Sequence, residues 1–159
     1  MSRFAILLGA TLCLPVGGCM MKPRHLVYPD GVVFTGWHVP NFEICNWSRD
    51  PNNPQPCPVV VHLPAGDLGD KELSDAAALK WAGWEEQDNG NGNTSLWLRA
   101  GTGQVNCNYR GAALVGASVS TLSSAGSGPV ALSVNGKRVI LPATAEAITA
   151  TLGQPLRRD

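Results

Sequence analysis

The chain has 159 residues, with 12 basic and 12 acidic side chains, 15% charged residues and a formal net charge of zero. That length fits one compact domain with a small appendage, and so even a charge balance gives no support for a broad nucleic-acid-binding surface. Eighteen glycines, 12 prolines and few charges point away from a helical bundle and toward a loop-rich β protein.

Met1 to Arg3 form a short basic start. Phe4 to Val16 is an apolar stretch about the length of a signal-peptide core, too short to span a bilayer comfortably. Pro15, Gly17 and Gly18 then break any continuing helix, and Cys19 follows in the run Val16-Gly17-Gly18-Cys19. Small residues there leave an extended backbone open to a peptidase. The arrangement resembles the lipobox of bacterial lipoproteins. The resemblance implies that the Cys19 thiol carries a diacylglycerol, that residues 1–18 are a signal peptide removed by cleavage, and that the new amine is acylated with a chain such as palmitate. Each buried methylene contributes roughly 0.8 kcal/mol, so two or three chains hold firmly where one does not. Cys19 is followed by Met20 rather than Asp. By analogy with Gram-negative sorting, that favours the periplasmic face of the outer membrane. The alternatives are an ordinary secretory signal and an uncleaved N-terminal anchor.

Loss of residues 1–18 removes Arg3 and no acid, which takes the formal charge from zero to −1. Residues 19–27 read as a lipidated, flexible tether. A β-rich domain is expected over 28–119. Val32 to Phe34 suggest a first strand between Gly31 and Gly36, and Phe42 to Trp47 a second. Asp50 to Pro58 holds four prolines and reads as an irregular loop. Val59 to Leu63 is β-branched and apolar, hence a strand, and Gly66 to Gly69 a turn. Asp70 to Lys80 fits a helix capped by Asp70 or Ser74, with a strand from Trp81. Asp88 to Asn93 reads as a hairpin loop answered by a return strand over Ser95 to Ala100.

The cleanest alternation follows. Val105, Cys107 and Tyr109 share one face of a strand and Asn106, Asn108 and Arg110 the other, which points Cys107 at the core. Ala112 to Val119 continues the sheet. Residues 120–128 are a Gly/Ser linker. Residues 129–159 read as a β-hairpin turning at Asn135-Gly136, plus a helix over Ala143 to Leu152 stopped by Gly153. Leu141, Ile148 and Leu152 are expected to pack on the hairpin. The expected class is α+β, mainly β: a small disulfide-bonded antiparallel sheet with one or two short helices.

Export places Cys45, Cys57 and Cys107 in an oxidising compartment, where three thiols allow one internal bridge and one leftover. Cys57-Pro58 early and Cys107-Asn108-Tyr109-Arg110-Gly111 late resemble a family of small exported bacterial domains with a Cys-Pro pair and a Cys-x-Tyr-x-Gly ending. The resemblance implies a Cys57–Cys107 bridge. The competing pair is Cys45 with Cys57, which staples only the proline-rich loop. Leu141-Pro142 through Leu152-Gly153-Gln154-Pro155 also resembles a helix-then-Leu-Gly-x-Pro element of envelope lipoproteins, including the small accessory lipoprotein of the outer-membrane barrel assembly machine. In those proteins further strands follow.

No metal or other cofactor is expected. Cys-x-x-Cys does not occur, and His25, His38 and His62 lack ligand spacing to the cysteines. Catalysis is not expected either. There is no Gly-x-Ser-x-Gly elbow. Glu85 and Glu86, adjacent on a strand, point to opposite faces and cannot flank one glycosidic bond. Functional hints are the five tryptophans and a sector from Asp67 to Asp88 with seven acids against Lys71 and Lys80. Trp81, Trp84, Glu85 and Glu86 are therefore the candidate binding surface, for a partner protein or a glycan. The leading expectation is a non-enzymatic envelope lipoprotein. It is anchored to membrane lipid through Cys19 and binds or masks another envelope protein, as phage exclusion, lysis, immunity or inhibitor lipoproteins would. The rivals are a structural subunit of a secretion or surface assembly, and an envelope hydrolase. The intact mass of membrane-extracted protein, before and after thiol alkylation, should match a chain starting at Cys19 plus acyl groups. An unlipidated mass or a retained N-terminus removes the anchor.

Overall fold

A computed structural model describes residues 22–63, 66–79, 85–100, 103–122 and 129–159, the side chains of 98–100 excepted. Cys19, the signal segment, Trp81 and Trp84 lie outside the described residues, as does 123–128 of the expected linker. In chain order the elements are β1 (Arg24–Val27), β2 (Val32–Gly36), β3 (Asn41–Phe42), β4 (Ile44–Ser48), β5 (Val59–Leu63), β6 (Gly66–Leu68) and α1 (Leu73–Ala78). Then follow β7 (Glu85–Gly90), β8 (Asn93–Ala100), β9 (Gly103–Arg110), β10 (Ala113–Ser120), β11 (Val130–Val134) and β12 (Lys137–Leu141). β13 (Ala143–Thr144), α2 (Ala145–Leu152) and β14 (Arg157–Arg158) close the chain. Among the described residues the fold is mainly β with two short helices, as expected.

An eight-stranded sheet runs in the order β14-β1-β2-β4-β10-β9-β8-β7, and a four-stranded sheet in the order β12-β11-β5-β6. Every pairing is antiparallel. β3 and β13 form a small third pair. One buried cluster joins the inner faces of both large sheets: Phe34, Val105 and Tyr109 from the first, Val61, Leu132 and Val134 from the second. The alternation over 105–110 is observed, with Cys107 buried and Asn108 exposed. Asn135 and Gly136 adopt φ values of 50° and 78°, the positive pair that a two-residue hairpin turn demands.

Several boundaries differ from the sequence reading. Residues 24–27, expected in the tether, form β1: Leu26 is buried and pairs with Phe34 on one side and Arg158 on the other. Gly66 to Leu68 is an edge strand rather than a turn, because Leu68 packs in the core opposite Val61. The helix of the acidic sector is only Leu73–Ala78. Its N-cap is Glu72, without a side-chain hydrogen bond, rather than Asp70 or Ser74. The strand expected from Trp81 is described from Glu85, and it runs on to Gly90, through the first half of the expected hairpin loop. The C-terminal unit is woven into the same core. β11 pairs with β5, β13 with β3 and β14 with β1. Thr144 caps α2 by accepting from the Ala147 N–H at 3.2 Å, and Ile148 and Leu141 are fully buried beneath it.

Register defines two ends of the sandwich. At one end Arg24 lies opposite Gly36, Thr35 opposite Ile44, and Ile44 opposite Ser120. The chain enters β1 here. At the other end lie the β1–β2 turn, the close of β4 at Ser48, the β9–β10 turn and the Asn135-Gly136 tip.

Leu132 is fully buried at the junction of β11, β12 and β5. Leu132→Ala should cost about 2–5 kcal/mol, read as a lower urea midpoint without a change in slope.

Candidate functional site

A cleft of about 620 Å³ opens at the end of the sandwich away from the start of β1. Three segments distant in sequence build it: the turn Pro29-Asp30-Gly31, the stretch from Trp47 through the proline-rich loop to Pro58, and Asn135 at the hairpin tip. Gly31 is required twice over. Its φ of +84° suits glycine, and a Cβ there would stand 3.3 Å from the Ser48 carbonyl and 3.7 Å from the Trp47 ring. Asp30 is the clasp. One carboxylate oxygen accepts the Val32 N–H at 3.3 Å, and the other accepts the Asn135 side-chain amide at 2.6 Å. The Asn135 backbone N–H donates in turn to Pro58 O at 3.0 Å. Turn, loop and hairpin tip are thereby held as one rim.

Arg49 organises the opposite wall. Its Nε donates to Leu114 O at 2.8 Å, one Nη to Gln55 O at 2.9 Å, and the other Nη to Asp70 Oδ1 at 2.7 Å. The guanidinium also lies 5.3 Å from the Trp47 ring centre, within cation–π range. A planar, five-donor group is the side chain suited to bridging three acceptors in different directions. Within the loop, Asp50 Oδ1 accepts the Asn52 N–H at 2.8 Å, and Gln55 donates to Asn53 Oδ1 at 3.1 Å. Four prolines and these local bonds give the loop one shape despite its lack of secondary structure.

The charged side chains that line the cleft are all acidic, while Arg49 stands behind the wall with its guanidinium engaged by Leu114, Gln55 and Asp70. Asp30 and Asp50 line it, and no Lys, Arg or His does so among the described residues. Amides of Asn53, Gln55 and Asn135 add donors and acceptors, while Trp47 and three prolines add apolar wall. Such a surface suits a cationic, hydrogen-bonding segment rather than an anion.

Cys57 sits at the edge of this cleft and is a correction to the sequence reading. Cys45, Cys57 and Cys107 are all free and buried, and the expected Cys57–Cys107 bridge is not formed. The Cys57 thiol instead turns to Val59 O in its own segment, at 3.5 Å. Cys45 and Cys107 lie on β4 and β9 with β10 between them, opposite Val119 and Ala117. Desolvation pushes the Cys57 thiol up to about 11 and Cys107 to about 12, and moves Cys45 in the same direction. Close by, the buried Tyr109 hydroxyl has no hydrogen-bond partner among the described residues.

Of the other residues singled out in the sequence, Glu85 and Glu86 are exposed on β7, the far edge of the large sheet. They are not part of the cleft, which is built from the β1–β2 turn, the end of β4, the proline-rich loop and the β11–β12 tip. The sequence reading missed the cleft. Its one local signal was the proline-rich loop, and the other walls come from residues more than a hundred positions apart. No family model matches this chain, no curated protein is similar to it, and no solved structure matches its fold.

The thiols give a pH dependence. Below 9.0, the ordinary value, the folded and unfolded chains both keep the Cys57 proton. Between 9.0 and about 11 the unfolded thiol ionises while the folded one does not, so stability falls as pH rises through this window. The urea midpoint should drop across it more steeply for the wild type than for Cys57→Ala. Near neutral pH the native protein should resist thiol alkylation, and the denatured chain should expose all three thiols.

Proposed function

We propose that this chain is a lipid-anchored envelope protein that binds, without catalysis, a basic segment of another envelope protein in the cleft at the far end of its sandwich. The lipobox-like run ending in Cys19 supports the anchor, and Met20 supports the outer membrane with the domain facing the periplasm. The observation that carries the binding role is the cleft itself. It is preformed, walled by proline and tryptophan, lined by Asp30 and Asp50, and placed opposite the end where the chain enters β1. A domain tethered at one end presents the other end to the periplasm. Preorganisation matters here, because a loop already fixed by prolines and by Arg49 loses little freedom on binding. The carboxylates would steer a cationic partner and fix its orientation more than they would add affinity.

A second reading, a subunit of a larger assembly, draws on β7. All six of its residues are exposed, and it ends the eight-stranded sheet. Such an edge is a template for strand addition, with Glu85, Glu86 and Asp88 discriminating against unselected strands.

A photo-crosslinking residue at Gln55 in the lipidated protein should capture one envelope species, and Asp50→Lys should abolish that capture. Equal capture from the exposed Glu146 position on α2, away from the cleft, or capture indifferent to Asp50→Lys, would overturn the assignment.

A further inference from the structure

We infer that the loop Trp37 to Pro40 docks into the membrane interface and holds the domain upright on the leaflet. The inference rests on the anchor reading above and goes beyond it.

The position of the loop is set by register. Arg24, the first residue of β1, lies opposite Gly36, the last of β2. Trp37 is therefore the next residue past the sheet, at the end where the chain comes in from its N-terminal side. Four residues, Met20 to Pro23, separate Cys19 from Arg24. Fully extended, that connection spans about 17 Å. An acylated Cys19 would thus keep this end of the sandwich against the lipid.

What the end displays suits an interface. Trp37 is 38% exposed, Val39 75% and Leu122 37%, and these are three of the five exposed large apolar side chains among the described residues. Leu122 belongs to the same end, since Thr121 N–H donates to Glu43 O and Ser120 pairs with Ile44. Tryptophan favours the headgroup level of a bilayer, with its ring in the apolar boundary and its N–H in reach of polar groups. Lys22, two residues before Arg24, is exposed and matches anionic headgroups. Two acids at this end are engaged: Glu43 is buried inside the loop, and Asp159 pairs with Arg157 at 2.8 Å.

The loop is also built to hold its shape. One Glu43 carboxylate oxygen accepts the Trp37 N–H at 2.9 Å, and the other accepts the His38 N–H at 3.0 Å and meets His38 Nδ1 at 3.1 Å. Asn41 N–H donates to His38 O at 2.8 Å. Arg24 donates to Asn41 O at 2.7 Å and stacks 4.7 Å from the Phe42 ring. A Cβ on Gly36 would come 2.5 Å from Asn41 O, so the loop closes tightly on the strand end. The buried Glu43 carboxylate thus fixes the backbone at Trp37 and His38, the start of the loop that displays Val39.

The test uses the full lipidated chain in vesicles of phosphatidylethanolamine and phosphatidylglycerol, its acylation checked by intact mass. A nitroxide is placed at Val39→Cys or at Gln55→Cys, the native thiols being buried. Position 39 should collide more with oxygen than with a water-soluble nickel chelate, and position 55 the reverse. Independently, brominated lipid should quench tryptophan emission of the unlabelled chain, with a loss of quenching in Trp37→Phe. An acylated chain with position 39 in water and quenching indifferent to Trp37→Phe overturns the docking and leaves the anchor intact. A chain without acyl groups overturns the anchor, and the docking falls with it.

Discussion

β4 is five residues long and carries an opposite charge just beyond each end: Glu43 before Ile44 and Arg49 after Ser48. Neither side chain is used mainly as an ion. Glu43 turns back to accept two loop N–H groups, and Arg49 turns out to donate to two carbonyls and one carboxylate. Each thereby satisfies backbone groups that the sheet ladder leaves over at its own end of the sandwich. A hydrogen bond to a charged group is worth about 1.5–3 kcal/mol, and an orphaned buried partner costs a similar amount. These two residues therefore shape two loops without secondary structure of their own. β4 lies between β2 and β10, inside the large sheet, so both ends are referred to one rigid strut.

This arrangement explains what was legible in the sequence. Strand character at Val32, Val59 and 105–110, the Asn135-Gly136 hairpin and the α2 stop at Gly153 are local signals, and the structure has them where they were expected. β1 was not legible, because a lysine- and arginine-bearing stretch carries little strand signal of its own and is a strand through its partners, β2 along all four residues and β14 along the last two. β6 was hidden for the same reason: Gly66 and Asp67 favour turns in isolation, and only Leu68 against Val61 makes the segment a strand. The site was less legible still. Asp30 and Asn135 meet at 2.6 Å across 105 positions, and no spacing rule announces such a meeting.

The cysteines show where compositional reasoning about compartment stops short. An oxidising environment favours disulfides, but exchange needs a thiolate and access to it. In this fold desolvation holds Cys57 and Cys107 well above neutral pH, and all three thiols are buried. Once folded, the chain would protect them kinetically whatever the poise outside. The choice between bridge and thiol thus belongs to the folding stage, before the two sheets close over Cys107. Cys57 is the thiol nearest the surface, at the edge of the cleft, and the one from which any later exchange would start.

Dimensions connect the two ends. β9 has eight residues, and at about 3.3 Å per residue the sandwich is roughly 26 Å long. The connection from Cys19 to Arg24 reaches about 17 Å, less than that length. On the proposed lipid anchor, a domain with so short a tether would have little freedom to turn over and bring its cleft to the leaflet, and an apolar loop at the tethered end would narrow the freedom further. Orientation would then follow from geometry rather than from a partner. In the proposed setting the cleft would be carried at a fixed height above the leaflet, with Asp30 and Asp50 facing whatever approaches from that direction.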